Sequence, residues 1–277
     1  MFTFLHIYIP NPIFISLGPI NIHWYGLFVA LGSLSAIITS LKIASYYKIK
    51  KEVVIDLAFW LIVYGLLGAR IYHVFLELPY YFKYPLDIFK IWHGGLAIHG
   101  GILAGVIVLY FYAKKYKINF WQLGAIVTPC LALGQAIGRW GNYFNQELFG
   151  QPTNLPWGIP IDIINRPFEY LNYEYFHPTF LYESIGNFLI FILLITLHIL
   201  IIKKKIKPNY LLLTIGYLIS YSLLRFGLEF IRIDTTPIIA GLRFPQWISL
   251  SIILLSTLII FIEIKPRKKG LEINSQS

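Results

Sequence analysis

Residues 120–150 read FWQLGAIVTPCLALGQAIGRWGNYFNQELFG, an apolar segment of membrane length that ends in a run of polar residues and glycines. The run from Gly138 to Gly150 holds a guanidinium, asparagine amides, a carboxylate and three glycines. Glycine lets the backbone approach a ligand closely, and Arg and Asn present planar donors that suit oxyanions. The stretch therefore predicts a membrane helix whose end binds an anionic, phosphate-bearing membrane molecule.

The composition predicts an all-α polytopic membrane protein. Hydrophobic residues make up 57% of the 277 residues and charged residues only 13%, whereas soluble domains carry about 25% charged residues. The net charge of +10 raises the possibility of a nucleic-acid partner. We exclude that class because the basic residues form short clusters between apolar segments rather than one basic face.

Seven apolar segments satisfy the roughly 20-residue requirement of a membrane-spanning helix. We place the spans near 20–42, 53–76, 94–113, 120–139, 179–202, 210–232 and 245–264. The residues before Gly18 lack the basic flank and cleavage site of a standard signal peptide, and Pro10 and Pro12 favour a non-helical or interfacial lead-in. Residues 1–277 are thus predicted to form one integral membrane domain.

The basic clusters predict the orientation of these spans. They lie at 42–51, 114–117, 203–207 and 265–269 and hold 15 of the 23 Lys and Arg residues. If seven helices alternate, all four clusters face one side, which the positive-inside rule makes cytoplasmic. The N-terminus is then outside, the C-terminus inside, and residues 140–178 form a small periplasmic cap.

Charged residues inside predicted spans are candidates for function because each costs about 2.5–3.5 kcal/mol to insert. The buried charges are Arg70, Arg139, Glu183, Arg225, Glu229 and Arg232, and Tyr25 and His99 lie near helix ends. In the predicted orientation all of them occupy the outer half of the membrane. This argues against a transport path, which would place polar groups near the midplane of the membrane. Glu183 has an alternative interpretation as an acidic residue that favours a helix start.

The sixth predicted span carries a polar stripe. Tyr221, Arg225, Glu229 and Arg232 are spaced 4, 4 and 3 and share an arc of about 80° on a continuous helix. A structural ion pair would explain Glu229 and Arg232. For Arg225 we favour a functional role, because two arginines facing one glutamate leave a spare positive charge for an anionic substrate.

The third predicted span opens with HGGLAIHGG at residues 93–101. Its two histidines are about 240° apart on a helix, so they cannot chelate a metal as an i,i+4 pair could. His99 is the best candidate for a general base, although a structural or interfacial histidine remains the alternative. The chain has no G-x-S-x-G, H-E-x-x-H, P-loop or C-x-x-C motif, so hydrolase, metalloprotease and ATP-driven pump functions lose their usual support.

Taken in order, H-G-G-L-x-x-H-G-G, G-R-x-G-N-x-x-N-x-E-x-x-G, H-P-T-x-x-Y-E and R-F-x-x-E-x-x-R closely resemble the bacterial prolipoprotein diacylglyceryl transferase family. One departure is Tyr143, where the family usually has Phe. The resemblance implies an enzyme of the inner membrane that catalyses the first step of lipoprotein maturation. It would transfer the diacylglyceryl group of phosphatidylglycerol to the lipobox cysteine of a prolipoprotein, form a thioether and release glycerol 1-phosphate. It implies no metal or organic cofactor.

The resemblance also implies roles for matching positions. The catalytic candidates are His99, Arg139, Arg225, Glu229, Tyr25 and Tyr221. The candidates for binding phosphatidylglycerol are Arg139, Asn142, Asn145, Glu147, Gly150, Arg225 and Arg232. Arg139 and Arg225 would hold the phosphate and His99 would accept the thiol proton, unless arginines stabilise the thiolate without a dedicated base. The alternative function is a protein that binds or transports phosphatidylglycerol without chemistry.

Overall fold

The computed structural model describes residues 2–264, which form nine α-helices and three short antiparallel hairpins. The helices are α1 Phe2–Ile7, α2 Trp24–Tyr46, α3 Lys51–Leu76, α4 Leu78–Lys83, α5 Ile98–Lys115, α6 Phe120–Phe144, α7 Thr179–Ile202, α8 Tyr210–Leu228 and α9 Phe244–Ile264. The hairpins pair β1 Ile13–Leu17 with β2 Ile20–His23, β3 Ile159–Pro160 with β4 Tyr175–Phe176, and β5 Ile238–Ile239 with β6 Leu242–Arg243. The predicted basic cluster at 265–269 lies outside the described residues.

Six helices are long and apolar enough to span a membrane, which confirms the all-α polytopic class. They are α2, α3, α6, α7, α8 and the segment Phe244–Glu263 of α9. The predicted span at 94–113 corresponds to α5, which has 18 residues, begins only at Ile98 and ends in two lysines. α5 is therefore not among the six helices that are long and apolar enough to span a membrane.

α5 nevertheless lies alongside α3 over the length of the bundle. Near its start, Gly100 packs against Gly68, and a Cβ on Gly100 would lie 2.1 Å from the carbonyl oxygen of Gly68. Near its end, Tyr112 belongs to a core cluster with Leu57 and Leu123. α5 therefore covers the same depth as its spanning neighbours.

Several predicted limits differ from the structure. The first span was placed from residue 20, but residues 20–23 form β2, because the alternating Ile20 and Ile22 pair with β1 across a turn at Gly18, whose φ is +61°. The lead-in contains α1, although Pro10 and Pro12 do lie outside it. The fourth span was ended at residue 139, whereas α6 continues to Phe144 and includes Asn142.

The sixth span was extended to residue 232, but α8 ends at Leu228 with Glu229 at its C-cap. Arg232 instead pairs its backbone with Gly150 in an isolated β-bridge. The predicted stripe on one helix face therefore holds for Tyr221, Arg225 and the capping Glu229, and Arg232 reaches them from the segment that follows the helix.

α6 lies at the centre of the bundle and packs against α2, α7 and α8. Small residues permit the close crossing with α2, since a Cβ on Gly32 would lie 3.0 Å from the carbonyl oxygen of Gly134. At the opposite end from the polar run, His198 of α7 contacts the Ala125 carbonyl oxygen at 2.9 Å and the Tyr47 hydroxyl at 2.7 Å. These contacts hold α7 against α6 and against the end of α2.

Residues 145–178, which we call the cap, fold over the end of α6. Phe149, Ile159, Ile161 and Phe176 form its core together with Leu5 of α1. Gln146 ties the cap to the lead-in, because its Nε2 donates to the Pro10 carbonyl at 2.9 Å. The cap thus rests directly above the ends of the central helices.

Candidate functional site

Seven charged side chains meet where α6, α7, α8 and α9 come together beneath the cap. This charged cluster consists of Arg139, Glu183, Arg225, Glu229, Arg232, Asp234 and Arg243. Glu183 and Glu229 are its most buried members, with exposed fractions of 1% and 0%. Buried charges persist only when they are paired, so each buried member of the cluster depends on its partners there.

Arg139 lies near the end of α6 and connects the polar run to the cluster. Its Nη2 is 2.6 Å from Oε1 of Glu183, at the start of α7. Its Nη1 donates to Oδ1 of Asn142 at 3.2 Å, and Nδ2 of Asn142 donates to Oε1 of Glu147 at 2.6 Å. Asn145 also donates to Glu147, at 3.5 Å. The structure therefore brings together the Arg, Asn and Glu residues of the run.

Arg225 and Glu229 form the second part of the cluster. Nη2 of Arg225 is 2.9 Å from Oε2 of Glu229. Arg232 lies between the two buried glutamates, with nitrogen–oxygen distances of 3.8 Å to Glu183 and 4.0 Å to Glu229. The contacts to Glu229 have the distances of ion pairs without the angles of hydrogen bonds. Charge rather than directed hydrogen bonding holds this carboxylate.

The cluster carries an excess of positive charge. Four arginines face three carboxylates through these ion pairs. Within residues 2–264, Nη1 of Arg225 is buried and has no hydrogen-bond partner. A buried charged donor left unpaired is costly, and arginine cannot release its proton. The geometry thus suits an anionic ligand that contacts Arg225.

The two predicted tyrosines lie near this cluster. Tyr221 is close to Arg139 and Glu183 and stacks on Tyr217, with ring centroids 6.1 Å apart. Tyr25, at the start of α2, packs against Gly141, where a Cβ would lie 2.8 Å from its Cδ2. Gly141 therefore permits the approach of Tyr25 to the turn of α6 that follows Arg139.

His99 lies apart from the other candidates. It is exposed at the start of α5, and its nearest aromatic contact is Tyr72, with ring centroids 6.1 Å apart. Among residues 2–264 it makes neither a hydrogen bond nor an ion pair with the charged cluster. Its role as a base therefore stays a prediction.

Gly150 is explained by backbone packing. A Cβ there would lie 2.8 Å from the Ile231 carbonyl oxygen and 2.8 Å from Cβ of His177. Its N–H donates to the His177 carbonyl at 2.9 Å. Gly150 thus joins the cap to the segment that carries Arg232, and its contact with lipid stays a prediction.

Sequence reasoning missed Asp234 and Arg243, and it left Glu183 divided between a helix-start role and function. Arg243 lies two residues before the last predicted span, where no helical periodicity would connect a basic residue to Glu229. Asp234 lies in the loop after α8. Burial acts to raise the pKa of Asp234, but the hydrogen bond from Arg232 and the charges of Arg232 and Arg243 outweigh it and hold that pKa below its usual value.

The guanidinium groups of the cluster are suited to an anion. In the described part of the chain, no group of three or more His, Cys, Asp or Glu side chains could hold a metal ion. Arginines in a partly dry site can bind a phosphate and stabilise negative charge that develops on it. They can also favour the thiolate form of a cysteine that enters the site.

Comparisons with known proteins point to one family. A family model described as prolipoprotein diacylglyceryl transferase matches residues 12–262. A relative from Synechococcus elongatus is 44% identical over 241 residues, which cover 87% of this chain and 83% of the relative. A Nostoc relative is 43% identical over 87% of this chain and 85% of its own length, and a Synechocystis relative 41% identical over 90% and 87%. All three are named phosphatidylglycerol–prolipoprotein diacylglyceryl transferase.

Proposed function

The chain belongs to the prolipoprotein diacylglyceryl transferase family, and we propose that it transfers the diacylglyceryl group of phosphatidylglycerol to the lipobox cysteine in a prolipoprotein signal peptide. The family resemblance drawn from the motifs is thereby confirmed. The chain is a multi-pass membrane transferase of lipoprotein biosynthesis.

In the proposed reaction the cysteine sulfur attacks C3 of the glycerol that carries the acyl chains. The bond between that carbon and the phosphate oxygen breaks, a thioether forms, and glycerol 1-phosphate leaves with the bonding electrons. The cysteine proton passes to water, or to His99 if that residue is the base, because the thiolate is the effective nucleophile. Negative charge builds on the departing phosphate, where fixed positive groups lower the barrier.

The observation that carries this proposal is the buried Nη1 of Arg225, which has no hydrogen-bond partner among residues 2–264 and lies in a cluster with one excess positive charge. A lipid phosphate beside Arg225 would supply the missing anion. Arg139 is fixed by Glu183 on one side and Asn142 on the other, so it can contact the same phosphate from α6. Asn142 and Asn145, both connected to Glu147, would orient the glycerol headgroup.

For the thiol proton, the geometry favours a thiolate stabilised by arginines. Arg139 and Arg225 lie in the cluster, whereas His99 is exposed on the first turn of α5. A base role for His99 would require α5 to approach α6 at this end of the bundle. Replacing His99 by Ala tests this directly: activity above one tenth of wild type would remove the dedicated base from the mechanism.

We further propose that the protein is a single domain of the bacterial inner membrane with seven spans, the site in the outer leaflet and the cap on the periplasmic side. Three basic clusters of the described chain, at 42–51, 114–117 and 203–207, lie at helix ends opposite the charged cluster. The positive-inside rule assigns those ends to the cytoplasm. This orientation requires α5 to cross the membrane, as its packing along α3 suggests.

The test is mass spectrometry of a lipobox peptide incubated with the purified protein and phosphatidylglycerol. Transfer adds a diacylglyceryl mass to the cysteine and releases glycerol phosphate. Arg139→Ala should nearly abolish the mass gain while the protein still inserts, and normal turnover by that variant would contradict the phosphate-binding role of the cluster. Saturable binding of phosphatidylglycerol by wild type without any mass gain would instead identify a lipid-binding protein.

A further inference from the structure

Arg243 lies outside every motif that identifies the family, yet it is part of the charged cluster. It ends β6 and directly precedes α9, in a hairpin whose turn uses Ala240 and Gly241 with φ of +48° and +78°. Its backbone N–H donates to Oε1 of Gln246 at 3.0 Å. Gln246 in turn donates to the Phe226 carbonyl of α8 at 3.4 Å. The hairpin therefore fixes Arg243 against the end of α8.

The Arg243 side chain contacts the segment that follows α8. Its Nε is 3.0 Å from Oε1 of Glu229 and 2.9 Å from Oγ1 of Thr236. Its two Nη atoms donate to the backbone carbonyls of Arg232 and Asp234. A lysine at this position has one nitrogen, so it could not make all of these contacts.

Glu229 divides its two oxygens between Arg225 and Arg243. Oε2 is 2.9 Å from Nη2 of Arg225, and Oε1 is 3.0 Å from Nε of Arg243. Because Glu229 is fully buried, loss of Arg243 would leave Oε1 without a counter-charge in a dry environment. The carboxylate could then turn, and Arg225 would lose the fixed partner that orients it.

We propose that Arg243 is a positioning residue for diacylglyceryl transfer: it fixes Glu229, and Glu229 directs the free nitrogen of Arg225 toward the lipid phosphate. The inference rests on the proposed function. Arg243 itself does not reach for the phosphate, since Glu229 and Asp234 already neutralise it. Arg225 is the member of the pair with an unpartnered nitrogen in the described chain.

A role in charge alone makes a different prediction from a role in positioning. Asp234 is 3.6 Å from Nη2 of Arg243 and 2.7 Å from Nε of Arg232. Asp234→Asn raises the positive charge of the cluster and removes a contact that orders both arginines. Charge alone predicts that Asp234→Asn binds phosphatidylglycerol more tightly, whereas positioning predicts slower transfer.

The experiment measures kcat and KM for phosphatidylglycerol and for a lipobox peptide in wild type, Arg243→Lys and Asp234→Asn. We expect kcat/KM for phosphatidylglycerol to fall about tenfold to a hundredfold in Arg243→Lys and severalfold in Asp234→Asn, with KM for the peptide unchanged. The matched control is Arg166→Lys, because Arg166 donates to the Ile161 and Leu171 carbonyls in the cap, away from the cluster. It should stay within about twofold of wild type.

Three results would overturn the inference while leaving the transferase intact. These are wild-type kinetics in Arg243→Lys, a higher kcat/KM for phosphatidylglycerol in Asp234→Asn, and a fall in apparent kcat of Arg243→Lys that matches a lower folded fraction and a lower thermal midpoint, with both KM values unchanged. The last would show that Arg243 only stabilises the fold. No mass gain in wild type would instead reject the proposed function, and the inference with it.

Discussion

At the scale of single residues, Arg225 is the most informative side chain of the site. It has one nitrogen on Glu229 and another that is buried without a partner in the described chain. We expect Arg225→Lys to lower kcat about 100-fold to 1,000-fold, the usual cost of losing one donor to a developing oxyanion. A lysine keeps the charge but has a single nitrogen in place of the two arginine nitrogens, one on Glu229 and the other free for a phosphate.

The matched control for Arg225→Lys is Leu223→Ala, because Leu223 lies on the same helix and is exposed on its outer surface. Turnover is measured with the lipobox peptide at saturating phosphatidylglycerol. A fall in kcat of less than fivefold in Arg225→Lys would show that the free nitrogen does not serve the departing phosphate.

Glu183 gives a second prediction at this scale, this time for stability. Glu183→Gln removes the buried carboxylate from Arg139 and Arg232, and removal of one partner from a buried ion pair costs about 3–5 kcal/mol. Glu147→Gln is the control, because Glu147 is exposed and accepts hydrogen bonds that a glutamine oxygen can also accept. Thermal unfolding in detergent should separate the two variants clearly, and equal midpoints would refute the structural role of Glu183.

At the scale of elements, the crossing of α3 and α5 depends on glycine. A Cβ on Gly100 would lie 2.1 Å from the Gly68 carbonyl oxygen and 2.4 Å from Cβ of Tyr72. Gly100→Ala should therefore force the helices apart at a cost of about 1–3 kcal/mol or more. The control is Gly105→Ala on the same helix, where the nearest atom is Cδ2 of Leu61 at 3.8 Å. A thermal midpoint unchanged in Gly100→Ala would contradict this crossing.

The cap supplies a prediction about pH. Burial lowers the pKa of His177, whose Nδ1 is 3.2 Å from the Tyr182 hydroxyl. The unfolded chain, with a histidine pKa near 6.5, binds more protons than the folded chain between the two pKa values. The free energy of unfolding therefore rises with pH across that window. As the pH falls below about 6.5, the part of the stability that depends on neutral His177 is lost.

Thermal midpoints in detergent between about pH 7.5 and 5 measure this effect, with His177→Asn as the comparison. The variant should show a flatter profile, and identical slopes would exclude His177 as the source. Asp234 does not confound the measurement. Its pKa is held below the usual value, so its contribution is complete above about pH 4 and is lost only as the pH falls through the folded pKa.

The sequence predicts the individual helices better than the contacts between residues of different elements. Apolar length located the helices, and buried charge located Arg139, Arg225 and Glu229, because burying a charge is costly wherever it occurs. The role of Arg243 in the cluster was not predicted, because its partner Glu229 lies 14 positions earlier and no helical or strand periodicity connects the two residues. Arg232 was placed on α8 because its spacing continued the stripe, whereas the backbone leaves the helix to pair with Gly150.

At the scale of the whole molecule, α3 and α5 form a pair that is joined to the central helices near the basic ends. Val54 and Leu57 of α3 pack there with residues of α6, including Leu123 and Ile126. At the other end, Arg70 of α3 donates to carbonyls of its own following loop, among them Ile88 and Gly94 at 2.8 Å each. At this end Arg70 therefore holds the loop between α3 and α5, and within residues 2–264 no hydrogen bond or ion pair joins His99 to the arginines of α6 and α8.

The proposed orientation depends on α5, the predicted span that is shorter and less apolar than the others. Three single-cysteine variants test it with a membrane-impermeant maleimide on intact cells: Phe89→Cys before α5, Lys115→Cys at its end and Lys204→Cys after α7. All three positions are exposed. The native Cys130 is buried in the bundle, so its background labelling should be low, and Cys130→Ala removes it entirely.

If α5 crosses the membrane, Phe89→Cys is labelled from outside, and the other two react only after the cells are permeabilised. External labelling of both Phe89→Cys and Lys115→Cys would mean that α5 does not cross. Tyr25 at the start of α2 packs on Gly141 near the end of α6, so these two helix ends must lie on the same side of the membrane. If α5 did not cross, α6 would run in the opposite direction and its end would lie on the other side. Labelling of Lys115→Cys and Lys204→Cys from outside, with Phe89→Cys protected, would place the charged cluster at the inner leaflet and reverse the proposed orientation.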